Sequence, residues 1–417
     1  MNIIILYFIL VYFKIEFLFS RLIASRKEDS ILIIKMDAIG DMVIWLDSAQ
    51  EIRKNFAHKK IILLCDKSFY ELANRITYFD QVIGIDKKRL FNVFYRLRLI
   101  NTICRKRFEL LINPVYSRDY FFQDILVSLI KAGRKIGCVG EYTNNDNILN
   151  GLINDKSRIK AFSKYLKLKS DKYYSELIPS TDGVLMEKKR NAEFIRGSIN
   201  PEFKSNIPTL PFELPILSEF LSLKEKSYVV LFIGASTKRK LWSKDNYVKL
   251  LSELCDNDIV VCGGKGEEKI WNDISNSYNF PTIKMTINLI GKTSLVQLFS
   301  VISGARYMIT NDTSASHITV ITRTPSVCLL GGAHFGRFHP YEIEDIKEVD
   351  LPFLPKVVYN KLDCYYCNLD CKYIKDKETI WPCIEKITPE QVLEKIFEIE
   401  KEINSYESKD INNNSNI

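Results

Sequence analysis

The sequence predicts an α/β fold made of two parallel-sheet halves, and three observations carry that expectation. Short continuous apolar runs, such as Ile31–Lys35 and Tyr228–Ile233, read as strands buried on both faces. Each run leads into a small turn and then a stretch at helical spacing, the alternation of an open parallel sheet. The alternation occurs twice, on either side of a proline-punctuated stretch. At 417 residues, with 46% hydrophobic and 26% charged, the chain is long enough for two domains with sizeable cores.

Residues 3–13 are eleven consecutive apolar residues, followed by Lys14, Glu16 and Arg21 among further apolar positions. The run is shorter than the roughly 20 residues of a spanning helix. Neither a basic start nor an A-x-A site marks a signal peptide. Residues 1–25 are expected to form a hydrophobic, membrane-associating helix lying on the surface with Lys14 and Arg21 snorkelling. A single span, a signal peptide and a helix docked on the protein are the alternatives.

The first Rossmann-like half is expected over 30–205. Its strands are Ile31–Lys35, Ile61–Cys65, Gln81–Ile85 and Glu109–Asn113, with a helix over Met42–Phe56. From Gly140 to Pro215 the periodicity fades, and Pro201, Pro208, Pro211 and Pro215 suggest a long excursion ending in a linker. The second half is expected over 220–387. Its strands are Tyr228–Ile233, Ile259–Cys262, Tyr307–Thr310 and Ser326–Leu330; its helices are Asn246–Leu254, Leu295–Ser303 and Ala315–Arg323. An amphipathic helix over 388–404 opens at Pro389, which suits a first helical turn. The polar, Asn-rich residues 405–417 are expected to be disordered.

Lys+Arg number 59 and Asp+Glu 51, a net charge of +8. Between Lys87 and Lys135 twelve basic residues face three acids, a local balance of +9. That segment suits an anionic partner such as a phosphorylated glycolipid, a membrane surface or nucleic acid, or else forms solvated helix faces. Of ten cysteines, six are scattered, several of them in apolar runs, as buried thiols of a reduced compartment are. The other four, Cys364, Cys367, Cys371 and Cys383, are spaced C-x2-C-x3-C-x11-C. That spacing fits a small metal knot better than a secreted disulfide framework. A structural zinc, free thiols and two disulfides all remain open.

Three segments could carry chemistry. Lys35, Asp37, Gly40 and Asp41 lie where the first strand meets its helix, the end of a strand at which open α/β sheets bind ligands. Gly40 permits close approach or unusual dihedrals, and Asp41 reads as a carboxylate at a helix amino terminus facing the cleft, or as a helix cap worth about 1 kcal/mol. Ser236, Thr237 and Lys240 follow the first strand of the second half, where hydroxyls and a cation suit phosphate oxygens. Asp312, Thr313, Ser314, Ser316 and His317 close a strand and open a helix, an anion-binding arrangement. No G-x-G-x-x-G follows a strand and no Walker spacing exists, which leaves nicotinamide and P-loop chemistry unsupported. The pair Asp256 and Asp258 falls in a helix-to-strand turn, where Asp is favoured for turn geometry.

Taken in order, these motifs resemble the family 9 glycosyltransferases, the heptosyltransferases of bacterial lipopolysaccharide synthesis. The resemblance rests on D-x-x-G-D at Asp37–Asp41, K-x-W at Lys240–Trp242, G-G-x-x-E at Gly263–Glu267 and N-L-x-G-x-T-x-L at Asn288–Leu295. It also rests on N-D-[ST]-G-x-x-H, matched at Asn311–His317 except for its Gly, and on the cysteine cluster before I-x-P-E-x-V at Ile387–Val392. It covers about residues 30–400. Ser314 stands where the family usually has Gly, and Gly332 where it commonly has Pro.

The resemblance implies a GT-B architecture, two Rossmann-like domains facing across a cleft, with acceptor bound by the first and nucleotide-sugar by the second. It implies inverting transfer of heptose or a related sugar from an ADP-heptose-like donor to a lipopolysaccharide core or other anionic surface glycan. Asp41 would act as base and Lys240 would stabilise the leaving diphosphate. Ser236, Thr237, Glu267, Asp312, Thr313, Ser314 and His317 would hold the donor, and Lys35, Asp37 and Gly40 the acceptor side. No catalytic cofactor is implied and no nucleic acid partner. The expected location is the cytoplasmic face of the inner membrane. A non-catalytic GT-B module that binds glycolipid is the alternative.

Overall fold

The computed structural model describes residues 2–414 apart from Phe91, Tyr142, Asn154, Phe220, Lys375 and Lys377. It divides into two compact units, one of Met1–Asp182 with Arg190–Lys204, the other of Gly183–Lys189 with Ser205–Ile417.

The first unit holds strands β1 (Arg26–Lys27), β2 (Ser30–Lys35), β3 (Lys60–Asp66), β4 (Gln81–Ile85), β5 (Lys106–Asn113), β6 (Lys131–Cys138) and β7 (Glu176–Ile178). All pair in parallel, in the order β4-β3-β2-β5-β6-β7, with β1 on β5. Around them run α1 (Asn2–Leu22), α2 (Ile39–Ile44), α3 (Leu46–Asn55), α4 (Tyr70–Arg75), α5 (Val93–Cys104), α6 (Ile125–Leu129), α7 (Thr143–Leu149), α8 (Lys156–Asp171) and α9 (Glu187–Ser198). Every residue of β2 is buried, as its unbroken apolar run requires of a central parallel strand.

The second unit holds β8 (Tyr228–Phe232), β9 (Asp258–Cys262), β10 (Met285–Asn288), β11 (Tyr307–Asn311), β12 (Ser326–Leu329) and β13 (Lys356–Val358). They are parallel and ordered β10-β9-β8-β11-β12-β13. Its helices are α10 (Lys244–Glu253), α11 (Glu268–Ser275), α12 (Leu295–Ser303), α13 (Ser314–Ile321), α14 (Pro382–Glu385) and α15 (Pro389–Asn414). In each unit the strand order reverses once, between β2 and β5 and between β8 and β11. A crevice opens at the carboxyl ends of strands at such a reversal.

Several expectations change. The helix read over Met42–Phe56 is two helices that meet at Trp45, and the first begins at Ile39. Strand β6 was not expected, because Lys131–Lys135 is polar and only Ile136–Cys138 is buried. Small residues admit it: a side chain at Gly137 would lie 2.5 Å from the Tyr174 ring. The excursion from Gly140 to Pro215 contains α7, α8, β7 and α9, and within it Gly183–Lys189 belongs to the second unit rather than to a domain over 30–205. Helix α15 takes in residues 405–414 rather than ending at 404, since no Gly or Pro follows Pro389 to stop it; residues 415–417 lie outside the described set.

Helix α1 forms but is docked. Leu6 and Phe13 join a core with Tyr120, Phe121 and Ile125. Glu16 receives the Arg96 Nε–H of α5 at 2.6 and 2.7 Å, with both side chains about 1% exposed. No described helix is long and apolar enough to cross a membrane. The basic segment from Lys87 to Lys135 is not one open patch either. Arg96 pairs with Glu16, Lys106 with Glu28, Arg118 with Asp124 and Asp171, and Arg134 with Glu176. Lys131 and Lys135 donate to the carbonyls of Ile23 and Val127. Arg96 and Arg118 therefore spend their charge inside the fold, while Arg134 pairs at the surface.

Candidate functional site

The sequence-derived residues fall into two groups, one at each reversal of strand order. In the first unit the carboxyl end of β2 carries Lys35, buried and ion-paired with Asp37. The Lys35 ammonium also lies 5.6 Å from the centre of the buried Trp45 ring. Asp37 keeps its other oxygen, Oδ1, buried and without a hydrogen-bond partner. Gly40 is helical, inside α2, so the unusual dihedrals considered from sequence are not what it supplies. Asp41 is half-buried in the first turn of α2, and its Oδ2 accepts the Ala38 N–H at 3.2 Å. The capping bond is therefore made, and the carboxylate sits at the strand end where a ligand would bind.

Across the reversal, the loop after β5 brings residues that sequence reasoning did not single out. Tyr116 lies under the Arg190 guanidinium, 3.7 Å from ring centre to Cζ. Its carbonyl accepts the N–H of Glu141, and a side chain at Gly140, whose φ is +55°, would come within 2.0 Å of that oxygen. Only glycine fits there. Arg118 bridges Asp124 and Asp171, Tyr174 donates to Asp124 at 2.6 Å, and Asn113 donates to Tyr174 at 2.7 Å. Burial pushes the neighbouring Asp119 carboxyl up to about 6. This network stiffens the loop from beneath. Its members are scattered over about 60 residues, so no local spacing announces it.

In the second unit, Lys240 is buried and reaches the end of β11. Its Nζ donates to the Asp312 carbonyl at 2.9 Å and to Asp312 Oδ2 at 2.7 Å. Burial alone would raise the Asp312 pKa, but the Lys240 ammonium outweighs it and holds the carboxyl well below the usual range. Two of the three ammonium N–H groups are thus committed, which leaves one direction for an incoming anion. Ser236 is exposed and Thr237 half-buried in the turn leading to Lys240. Thr313 caps α13 by accepting the Ala315 N–H at 3.2 Å, and Ser314 is the first helical residue. That helix end, with its unsatisfied amides, is suited to an anion.

Glu267 stands over the ends of β8 and β9. A side chain at Gly264 would lie 2.9 Å from Glu267 Oε2, and one at Gly234 would lie 3.5 Å from Oε1. The glycines leave room for that carboxylate, whose pKa burial raises. Asn311 donates to the carbonyls of Ile233 and Gly234 and to Tyr247 OH, clamping β8 to β11 where the site forms.

His317 is buried behind this rim. Its Nδ1 meets Tyr341 OH at 2.8 Å, and its ring stacks on His339 at 4.9 Å. His339 Nε2 meets Ser316 Oγ at 2.8 Å. Burial holds His317 well below its ordinary pKa and lowers His339 and His334 to about 4, so all three are neutral near pH 7. His339 and Tyr341 come from a loop more than twenty residues beyond the motif they support.

All four clustered cysteines are free thiols. Cys371 and Cys383 turn into the second unit's core, while Cys364 and Cys367 stay half-buried. Burial, reinforced by neighbouring thiols, pushes the Cys367 and Cys383 pKa values up. Among the described residues no three His, Cys, Asp or Glu side chains form a group that could hold an ion. Asp258 is instead ion-paired with Lys284 at 3.3 Å, so it is not half of a D-x-D clamp.

A family model described as glycosyltransferase family 9 (heptosyltransferase) matches residues 96–359. The lipooligosaccharide heptosyltransferase 2 of Campylobacter jejuni subsp. jejuni serotype O:2 is 26% identical over 204 residues, which span 48% of this chain and 60% of that protein. Among solved structures, the Escherichia coli ADP-heptose lipopolysaccharide heptosyltransferase II superposes with a TM-score of 0.62 at 16% identity, covering 90% of this chain and 99% of that one. The Escherichia coli heptosyltransferase WaaC with ADP gives 0.55 at 16% identity, covering 75% and 91%. At those identities the superpositions speak for the fold.

Proposed function

The chain belongs to glycosyltransferase family 9, and from that premise we propose that it is an inverting glycosyltransferase moving heptose, or a related sugar, from a nucleoside-diphosphate donor to a lipopolysaccharide core or similar anionic surface glycan. The observation that carries this reading is the division of labour between the two strand-order reversals. One presents a carboxylate, Asp41, and the other a lysine, hydroxyls and a helix amino terminus. Sugar transfer needs a proton acceptor at the attacking hydroxyl and positive charge at the leaving group.

In this reading the acceptor hydroxyl attacks the anomeric carbon as the bond to the diphosphate breaks. Asp41 takes the hydroxyl proton. Lys35 is fixed by Asp37 and offers charge to an anionic acceptor. The diphosphate accepts hydrogen bonds from the third Lys240 N–H, from the Ser236, Thr237 and Ser314 hydroxyls, and from the first amides of α13. Asp312 keeps Lys240 in place, and Glu267 accepts from sugar or nucleoside hydroxyls. The relatives named for ADP-heptose and solved with ADP favour an ADP-sugar donor. The acceptor is lipid-borne, and the reaction takes place at the cytoplasmic face of the inner membrane.

The test is sugar transfer from ADP-heptose to heptose-deficient lipopolysaccharide core. Asp41→Asn is expected to lower transfer by roughly 10²–10⁴-fold, the usual worth of a general base, with ADP affinity unchanged. Transfer by Asp41→Asn at the wild-type rate would reduce Asp41 to a helix cap. Absence of donor turnover in the wild type would favour a binding module.

A further inference from the structure

Helix α1 is apolar on two faces. Leu6, Phe13 and Glu16 are buried against the first unit. At the complementary helical positions Tyr7, Phe8, Ile15, Leu18, Phe19 and Leu22 are exposed, Leu22 at 84%. A solvated helix turns polar side chains outward, so a stripe of large apolar groups marks a surface that something covers.

Charge identifies the cover. The one acid of α1, Glu16, is buried in its pair with Arg96, so the charges α1 exposes are Lys14 and Arg21. Helix α8 is rooted in the same apolar cluster through Ile159 and Leu166. It carries six Lys and Arg against one acid, Asp171, which is taken up by Arg118 and Lys167. On its outer face Lys160 and Lys164 stand beside Tyr165 and Leu168, which are 54% and 57% exposed. Two helices rooted in one apolar cluster thus pair exposed apolar side chains with exposed cations. A second copy of the chain, meeting this face isologously, would bring like charges together. An anionic bilayer offers what both kinds of side chain need: hydrocarbon for the apolar groups and phosphate for the cations.

We infer that the outer faces of α1 and α8 form a docking surface for an anionic lipid bilayer. The helices lie in the interface and do not cross it, consistent with the absence of a described helix long and apolar enough to span. The Glu16–Arg96 pair locks α1 to the unit that carries Asp41, so lipid contact and the acceptor-side residues belong to one body. The inference deepens the functional reading and rests on it for the lipid-borne acceptor.

The experiment is sedimentation of the full chain with vesicles of phosphatidylcholine alone, and of phosphatidylcholine mixed with phosphatidylglycerol. Binding to the mixed vesicles is expected to be at least about tenfold tighter, and to weaken with salt. The combined substitution Phe8→Ser, Leu18→Ser and Leu22→Ser is expected to lower it at least about tenfold. Lys160→Gln with Lys164→Gln is expected to reduce the preference for the anionic vesicles. All five positions are exposed, so circular dichroism and ADP binding stay as in the wild type. A wild-type chain that stays in the supernatant with anionic vesicles overturns the inference, as does wild-type sedimentation of both variants. So does a wild-type dimer that ignores vesicles and becomes monomeric with the apolar substitutions. Lost vesicle binding with intact ADP binding sinks this inference alone; intact vesicle binding without sugar transfer sinks the functional reading alone.

Discussion

Lys240 and Asp312 are each about 5% exposed, and each is the other's charge partner. Removing one leaves the other buried and uncompensated, which typically costs about 3–5 kcal/mol. Lys240→Met is therefore expected to lower the second unit's melting temperature as well as diphosphate affinity. Adding Asp312→Asn should restore most of the stability and none of the affinity, as thermal unfolding and calorimetric titration with ADP would measure. Recovery of affinity in the double variant would place Lys240 outside the donor site. These two residues were legible because each sits in a short motif at a strand end. Asn311 was visible in the same motif, but its clamp on β8 was not, since its partners Ile233 and Tyr247 lie more than sixty residues away. His339 and Tyr341 gave no signal at all: an isolated His in an irregular loop carries no periodicity from which a packing partner can be read.

The elements read correctly were those with unbroken apolar runs, such as β2, β3, β8 and β9, in which five or six consecutive positions are buried. Where the run is broken by charge the element was missed, as in β6, or judged by charge alone, as in α5. The residue Arg96 counted toward a basic patch, yet it is among the largest fully buried side chains of the molecule. Spacing cannot reveal that its partner lies 80 residues earlier. Arg96→Met should strand the Glu16 carboxylate against α5 and detach α1, at a cost of about 3–5 kcal/mol to the first unit. Glu16→Gln combined with Arg96→Met should return most of that, because no buried charge remains. Hydrogen exchange over residues 6–20 is the direct readout: protection lost in the single variant and regained in the double. Full protection in Arg96→Met would mean that apolar packing by Leu6 and Phe13 alone holds the helix.

At the scale of the whole molecule, the repetition of a parallel α/β half was legible, while the strand order and the exchange of Gly183–Lys189 into the second unit were not, because composition does not change there. The two units also differ in how they meet acid. In the second, burial lowers His339 and His334 to about 4, and His317 moves in the same direction. An unfolded histidine titrates near 6.5. Between those values the unfolded chain binds more protons, so the histidines' contribution is complete above about pH 6.5 and is lost as pH falls toward 4. For the fully buried His339 the shift from 6.5 to about 4 corresponds to about 3 kcal/mol at most. In the first unit the buried Asp119 runs the other way. Its carboxyl is raised to about 6, so the folded unit binds the extra proton and gains stability as pH falls from about 6 to 4. Acidification from pH 7.5 to 5 should therefore lower the second unit's melting temperature more than the first's and separate the two transitions. The tryptophans make this measurable. Trp45 is in the first unit and Trp242, Trp271 and Trp381 are in the second. A Trp45→Phe chain reports the second unit by fluorescence, and calorimetry reports both. Equal shifts of the two transitions would mean that the histidines are already protonated in the folded state, and that burial around His317 and His339 is relieved in solution.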